Sequence, residues 1–461
     1  MSDSLYDELV RYASDGMTAF HMPGHKRKKD FGGLLPYDLD ITEIDGFDNL
    51  HDRRGILKKL SERMAALWGA SHAFPLVGGS TCGILSAIHA LTSPGDTVLI
   101  DRNCHKSVYN AVELCSLSAR YVMGKTDAGF GFALPPSASA IKEQLEADPG
   151  CKAVIITSPT YEGMIADVSA IADVASSYGV KLIVDQAHGA HLGFDGNVHA
   201  SAVSVADATI VSLHKTLPAM TQTAALFVSE NVDIGAVESS LSVFETSSPS
   251  YPLLASIDRC VSFLEEKGED AFSNYASLLG KFYSDMTALE NFGVCSYDNH
   301  DPGKIIVSCR GCDTDGNKLS KLLRDKFGIE IEMVAPDYVL AMSTVADSSA
   351  DLQRLANAIV AIDKSVSHSD KPENEIGTAI PRKMFDAYKI RSMPGEYTDY
   401  HDAVGKVSHE YVYTYPPGAP ILAAGELIGD DFSIKVDRLL SFGINICSSR
   451  GKFPLIFAVK E

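Results

Sequence analysis

Between residues 73 and 228 short apolar runs rich in β-branched residues alternate with longer stretches of helical periodicity, a pattern that few folds accept. The runs lie at 73–77, 97–100, 120–123, 153–157, 181–184, 208–211 and 224–228, and the helical stretches include 82–91, 137–147 and 166–178. Runs this short that are apolar at nearly every position read as strands covered on both faces. Strand–helix–strand alternation pairs its strands in parallel, because a crossover helix returns the chain to the same edge. The pattern therefore predicts an α/β fold with a mostly parallel seven-stranded sheet and helices on both faces. A long helical segment at 253–292 follows. Short strands at 304–308, 330–333 and 339–343, with helices at 318–327 and 352–362, predict a smaller C-terminal α+β unit.

Ligands of open α/β sheets bind at the carboxyl ends of the strands, so the residues there carry the function. Asp185 ends one run, in Val184-Asp185-Gln186-Ala187-His188-Gly189-Ala190-His191, and Lys215 follows another, in Ser212-Leu213-His214-Lys215-Thr216. Taken alone, a strand-end Lys is a solvated surface group and a strand-end Asp a helix cap. The uncharged run Leu217–Gln222 after Lys215 suits a lined pocket better than a surface loop. An amine at one strand end and a carboxylate at the next is what pyridoxal 5'-phosphate requires: the lysine forms a Schiff base, and the acid keeps the pyridine nitrogen protonated. Upstream, run 73–77 leads through Gly78-Gly79-Ser80-Thr81 into a helix. Gly79, Ser80 and Thr81 there make an anion site from backbone N–H groups, helix dipole and hydroxyls, although Ser and Thr also cap helices at such positions.

The runs S-x-H-K-T-L-x-A-x-T-Q at 212–222 and D-x-A-H-G-A-H at 185–191 resemble the short form of the ornithine/lysine/arginine decarboxylases, which are fold type I pyridoxal-phosphate enzymes without the extra N-terminal wing domain. Further blocks carry the resemblance: F-H-x-P-G-H-K at 20–26, 40–50, N-x-H-K-S at 103–107, S-P-T-Y at 158–161, T-S-S-P-S-Y at 246–251 and Y-P-P-G-x-P at 415–420. The resemblance implies decarboxylation of a basic amino acid. It implies that Lys215 bears the cofactor, Asp185 holds the pyridinium, His105 stacks on the ring as a flat, partly cationic group, and Ala187 packs beneath it. His188 is expected to reach the phenolic oxygen, and Ser212 and His214 to lie beside the phosphate or the Schiff-base nitrogen. Thr246 and Ser247 are implied to touch the phosphate in the partner subunit, so a homodimer or higher oligomer with its active site at the interface is expected. Three positions depart from the family pattern: Gly78 replaces a common Asn, Glu162 a common aromatic, and Ala424 a common Pro. If the loop at Glu162 lines the substrate entrance, that change alters which side chain is admitted.

The expected organisation is an N-terminal arm and interface segment at 1–50 and a large pyridoxal-phosphate-binding domain at 51–300. A small α+β domain at 301–370 and a segment packing near the active site at 371–461 complete it. Helices are also expected at 5–13 and 52–68, and the polar stretch 364–372 reads as a linker. A net charge of −20 argues against a nucleic-acid or anionic-membrane partner and is compatible with a small cationic substrate. No apolar run reaches the roughly 18 residues of a membrane span, and the first residues lack a signal-peptide pattern, so a cytoplasmic enzyme is expected. Nine scattered cysteines, with Cys309 and Cys312 the one close pair, lack zinc-site spacing, and the acids at 40–48 lack that of a calcium loop, so no metal is expected. The alternatives are a fold type I aminotransferase, which would clamp the α-carboxylate with an Arg such as Arg382, Arg391 or Arg450, and a catalytically silent binding homologue.

Overall fold

A computed structural model describes residues 16–20, 26, 47–194, 199–369 and 380–460. The helix expected at 5–13, most of the 20–29 basic run and the acids at 40–45 lie outside the described residues. Strand β1 (Thr18–Phe20) precedes the strands of the main sheet. These are β2 (His72–Leu76), β3 (Thr97–Asp101), β4 (Ser118–Val122), β5 (Cys151–Thr157), β6 (Lys181–Asp185), β7 (Ala208–Val211) and β8 (Ala224–Val228). They form one seven-stranded sheet in the order β2-β8-β7-β6-β5-β3-β4. The pairs β3/β4, β3/β5, β5/β6 and β6/β7 are parallel, and β8 runs antiparallel to both neighbours.

Alternation along each strand divides the side chains between the two faces. Ile100, Ile155, Ile183 and Ile210 point to one face, where Ile84 and Ile88 of the helix Gly79–Leu91 and Val108 of the helix Lys106–Leu114 cover them. Leu99, Val154, Leu182 and Val184 point to the other, beneath Ile141 of the helix Ala138–Ala147 and Ile171 of the helix Val168–Ser177. Near β7 and β8 the second face continues through Val211, Ala225 and Phe227. These meet Trp68 of the helix Ile56–Trp68 and Ile257 of the 36-residue helix Tyr251–Met286. The expectation of a mostly parallel sheet covered on both sides therefore holds strand by strand.

After the long helix come β9 (Gly293–Val294), β10 (Lys304–Ser308), β11 (Ile329–Ile331), β12 (Met333–Val334) and β13 (Tyr338–Met342). The antiparallel sheet β12-β13-β10-β9 forms with them, and the helices Gly316–Phe327 and Ser349–Asp363 accompany it. The single strand expected at 330–333 is two pieces, because the chain leaves one pairing for another: β11 pairs in parallel with β1, and β12 with β13. The last described segment holds a three-stranded sheet of Val412–Thr414, Pro420–Leu422 and Ile446–Ser448, and an antiparallel pair of Gly395–Asp399 and Leu455–Val459. No described helix is long and apolar enough to cross a membrane. All nine cysteines are free.

Candidate active site

Parallel register brings the chemically active residues into line. Thr157 at the end of β5 sits opposite Asp185 at the end of β6, and Asp185 opposite Ile210 of β7, whose chain continues within five residues to Lys215. Neighbouring strands lie about 4.8 Å apart. Asp101, Thr157, Asp185 and the short helix Leu213–Thr216 thus stand side by side along one edge, where a cavity of about 360 Å³ opens. Lys215, Asp185, His105, His188, Ala187, His214 and Ser80 all line it.

The helix Gly79–Leu91 begins three residues earlier than the periodicity predicts, with Gly79 in the left-handed region at φ +75°, so Ser80 and Thr81 fall in its first turn. No side chain caps that helix start. Ser80 faces the cavity, whereas Thr81 is exposed and does not line it. The glycine at 78 has a local cause. The Glu245 carboxylate accepts the amides of Val77 and Gly78 at 3.1 and 2.9 Å, and a Cβ on Gly78 would come within 2.9 Å of it. Thr246 and Ser247, just beyond Glu245, are exposed and lie off the cavity lining of their own chain.

His105 caps the helix Lys106–Leu114, its ring accepting the Ser107 amide. Burial, with Lys215 and Lys106 adding to it, pulls the imidazole down to about 4. The ring is neutral at neutral pH, which corrects the expectation of a partly cationic group. Asp185 is buried and accepts the Ala187 amide at 3.1 Å. Burial raises its pKa while the Lys215 amine works against the rise. Two buried hydroxyls, Thr157 Oγ1 and Ser212 Oγ, have no hydrogen-bond partner among the described residues. Thr157 lines the cavity and Ser212 does not, although Ser212 opens the short helix that carries Lys215.

Both ring nitrogens of His188 are engaged. Nε2 lies 2.9 Å from Lys215 Nζ, and Nδ1 lies 2.7 Å from the Nζ of Lys304. Lys304 was not legible as a site residue, since it opens β10 of the other sheet and reads in sequence as the polar end of an apolar strand. Glu332 was missed as well. It lines the cavity, and the Tyr161 hydroxyl donates to it. Asp101, also on the lining, is pushed up to about 7 by burial. Glu162 is buried, accepts the Tyr338 hydroxyl at 3.1 Å and is not on the lining, while Thr160 and Tyr161 of the same loop are.

Tyr415, Pro416, Pro417 and Ala419 form the opposite wall. A buried ion pair anchors it: Arg102, next to Asp101, donates to Glu426 at 3.0 Å and to the Pro420 carbonyl at 2.6 Å, while Glu426 also accepts the Ala423 amide. Glu426→Ala leaves the Arg102 charge buried and unpaired, and the expected cost is about 3 kcal/mol of folding stability. A lowered denaturation midpoint reads this out, and an unchanged midpoint would contradict it. Arg382, Arg391 and Arg450 are exposed, and among the described residues no arginine lines the cavity.

Residues 3–295 match the family model described as Orn/Lys/Arg decarboxylase, major domain. An uncharacterised Bacillus subtilis (strain 168) protein, YaaO, is 32% identical over 97% of this chain and 96% of its own length. The arginine decarboxylase of the same organism is 29% identical over 96% of this chain and 94% of that protein. Among solved structures, the Francisella novicida lysine decarboxylase LdcF superposes with a TM-score of 0.76 at 17% identity, covering 98% of this chain and 80% of that one. That last likeness concerns the fold alone.

Proposed function

Because this chain belongs to the Orn/Lys/Arg decarboxylase family, we propose that it is a pyridoxal 5'-phosphate-dependent decarboxylase. It would release the α-carboxylate of lysine, ornithine or arginine as CO2 and leave the corresponding amine. One observation carries the reading: Lys215 and Asp185, from successive strand ends, face each other's charge in a single cavity with His105 and His188 on its wall.

The residues present fit this cofactor. Lys215 would hold its aldehyde carbon, Asp185 the proton on its ring nitrogen, and His105 and Ala187 its two faces. The uncapped start of the helix Gly79–Leu91 and the unpartnered Ser212 hydroxyl suit an anionic phosphate. When bound, the group supplies an electron-poor ring that takes up the electron pair left on Cα as the carboxylate departs. A neutral His105 presents a flat face that adds no positive charge beside the protonated ring. Thr246 and Ser247, exposed in the single chain, are read as serving the partner subunit's cofactor in a homodimer. Nine free thiols suit a reducing compartment such as the cytoplasm.

Among the cavity's carboxylates, Asp185 would serve the ring nitrogen, and burial pushes Asp101 up to about 7. Glu332, a carboxylate on the lining that accepts the Tyr161 hydroxyl, would meet the cationic head group of the substrate. Glu332→Gln keeps the shape and removes the charge. A charge-assisted hydrogen bond is then lost, and kcat/KM for the preferred amino acid should fall about tenfold to a hundredfold.

The decisive experiment incubates the purified protein with pyridoxal phosphate and, in turn, lysine, ornithine and arginine. Amine and CO2 in equal amounts from at least one of them is the expected result. A keto acid, or no product from any of the three, would overturn the proposal.

A further inference from the structure

Lys304 is a buried titratable group with no role in the proposed function. Its side chain is 1% exposed, with Nζ 2.7 Å from His188 Nδ1, 3.4 Å from Met342 Sδ and 5.2 Å from the centre of the Tyr161 ring. Through His188 it is joined to Lys215, 2.9 Å from Nε2.

The protons in this chain of three can be counted. An ammonium only donates, a neutral imidazole has one donor and one acceptor, and an imidazolium has two donors. With both lysines charged, one ammonium would point its hydrogens at a ring N–H. With His188 charged as well, neither contact could form. Burial and the positive charges of Lys215 and Lys304, with His105 and His214 alongside, hold His188 well below its ordinary pKa, so the ring is neutral. A neutral ring bonds both neighbours only when the lysine facing its N–H is a free amine, so the two lysines hold at most one proton charge between them.

We propose that Lys304 is the proton acceptor for Lys215, acting through His188. In one arrangement Lys215 is the ammonium, it donates to Nε2, and Nδ1–H donates to Lys304. As the Lys215 Nζ–H bond breaks, its proton passes to Nε2 while the Nδ1 proton passes to Lys304 Nζ. The charge has then moved to Lys304, His188 has changed tautomer, and Lys215 is the free amine that attack on an aldehyde requires. Running the exchange backwards returns a proton to Lys215.

The surrounding charges allow both arrangements. Asp301, Glu332 and Glu162 favour charge on Lys304, and Asp185 and Glu332 favour it on Lys215. Burial opposes both and pulls Lys304 down to about 8. Lys304 is in this sense a positioning residue, setting the protonation of Lys215 without touching what Lys215 binds.

The inference rests on the cofactor reading, and the test separates the two. The full-length protein, stripped of cofactor, is mixed with pyridoxal phosphate, and the rate of uptake is followed by absorbance against pH. In Lys304→Met the acceptor is gone, His188 can offer Nε2 to a Lys215 ammonium, and the midpoint of the pH profile should rise by about one unit, slowing uptake about tenfold on the acid side. In Lys304→Arg the guanidinium donates to Nδ1 permanently and cannot be discharged, so Lys215 stays the free amine and the midpoint should fall. Shifts in opposite directions in the two variants are not what loosened packing would produce. A native midpoint in a folded variant overturns the relay and leaves the cofactor reading standing. Failure of the native protein to take up pyridoxal phosphate at any pH overturns both.

Discussion

Lys215→Ala is expected to abolish turnover and, with it, the absorption band of the lysine-bound cofactor. Among the described residues, Lys304 and Lys106 carry amines near the site. Lys304 is held behind His188 and does not line the cavity, while Lys106 sits 4.6 Å over the Tyr413 ring. Neither reaches the place that Lys215 occupies beside Asp185, and Lys215 is the one lysine among the described residues that lines the cavity. The expected loss in kcat is at least about ten-thousandfold, about 5.4 kcal/mol of barrier. Stability should not fall in parallel. The side chain removed is an amine whose charged form is already disfavoured by burial, so the thermal midpoint should hold or rise, which distinguishes lost chemistry from lost folding. Single-turnover CO2 release, the spectrum and a melting curve of the same preparation measure all three. Turnover close to native would remove the chemical role of Lys215.

The half of the site that the sequence makes legible is the half built on the main sheet. Asp185 and Lys215 end consecutive parallel strands, and parallel register alone brings such ends together. Alternating apolar runs therefore point to the carboxyl edge, and the residues there follow from counting. Lys304 and Glu332 come from the β12-β13-β10-β9 sheet and the turn between β11 and β12. Their arrival at the cavity depends on how that sheet packs against the first, which no periodicity encodes. What signal exists is indirect: a Lys opening the fully buried run Ile305–Ser308, directly after Asp301-Pro302-Gly303, is an expensive residue to bury without a partner. The pairing of β1 with β11 is similarly illegible, because strands of three residues about 300 positions apart carry no pattern of their own. The hydrogen bond from the Tyr338 hydroxyl to Glu162 is illegible for the same reason as Lys304, since Tyr338 also belongs to the second sheet.

Asp185→Asn should load with cofactor and turn over poorly, and the reasons for the two effects differ. The amide keeps the shape of the carboxylate and one acceptor oxygen for the Ala187 N–H, so the local fold should persist. It cannot stabilise a proton on a pyridine nitrogen as an anion does, and without that proton the ring is a weak electron acceptor. A loss of about a thousandfold in kcat, about 4 kcal/mol, is the expected result. The effect on Lys215 runs the other way. Asp185 is the first of the charges that favour the Lys215 ammonium against burial, so removing it lowers the lysine pKa further and leaves more free amine at a given pH. Uptake of pyridoxal phosphate should consequently persist to lower pH than in the native protein, even as kcat collapses. Cofactor content measured at several pH values alongside kcat tests both halves at once. A variant that turns over normally, or one that fails to bind cofactor while remaining folded, would separate Asp185 from the ring nitrogen and undo the assignment.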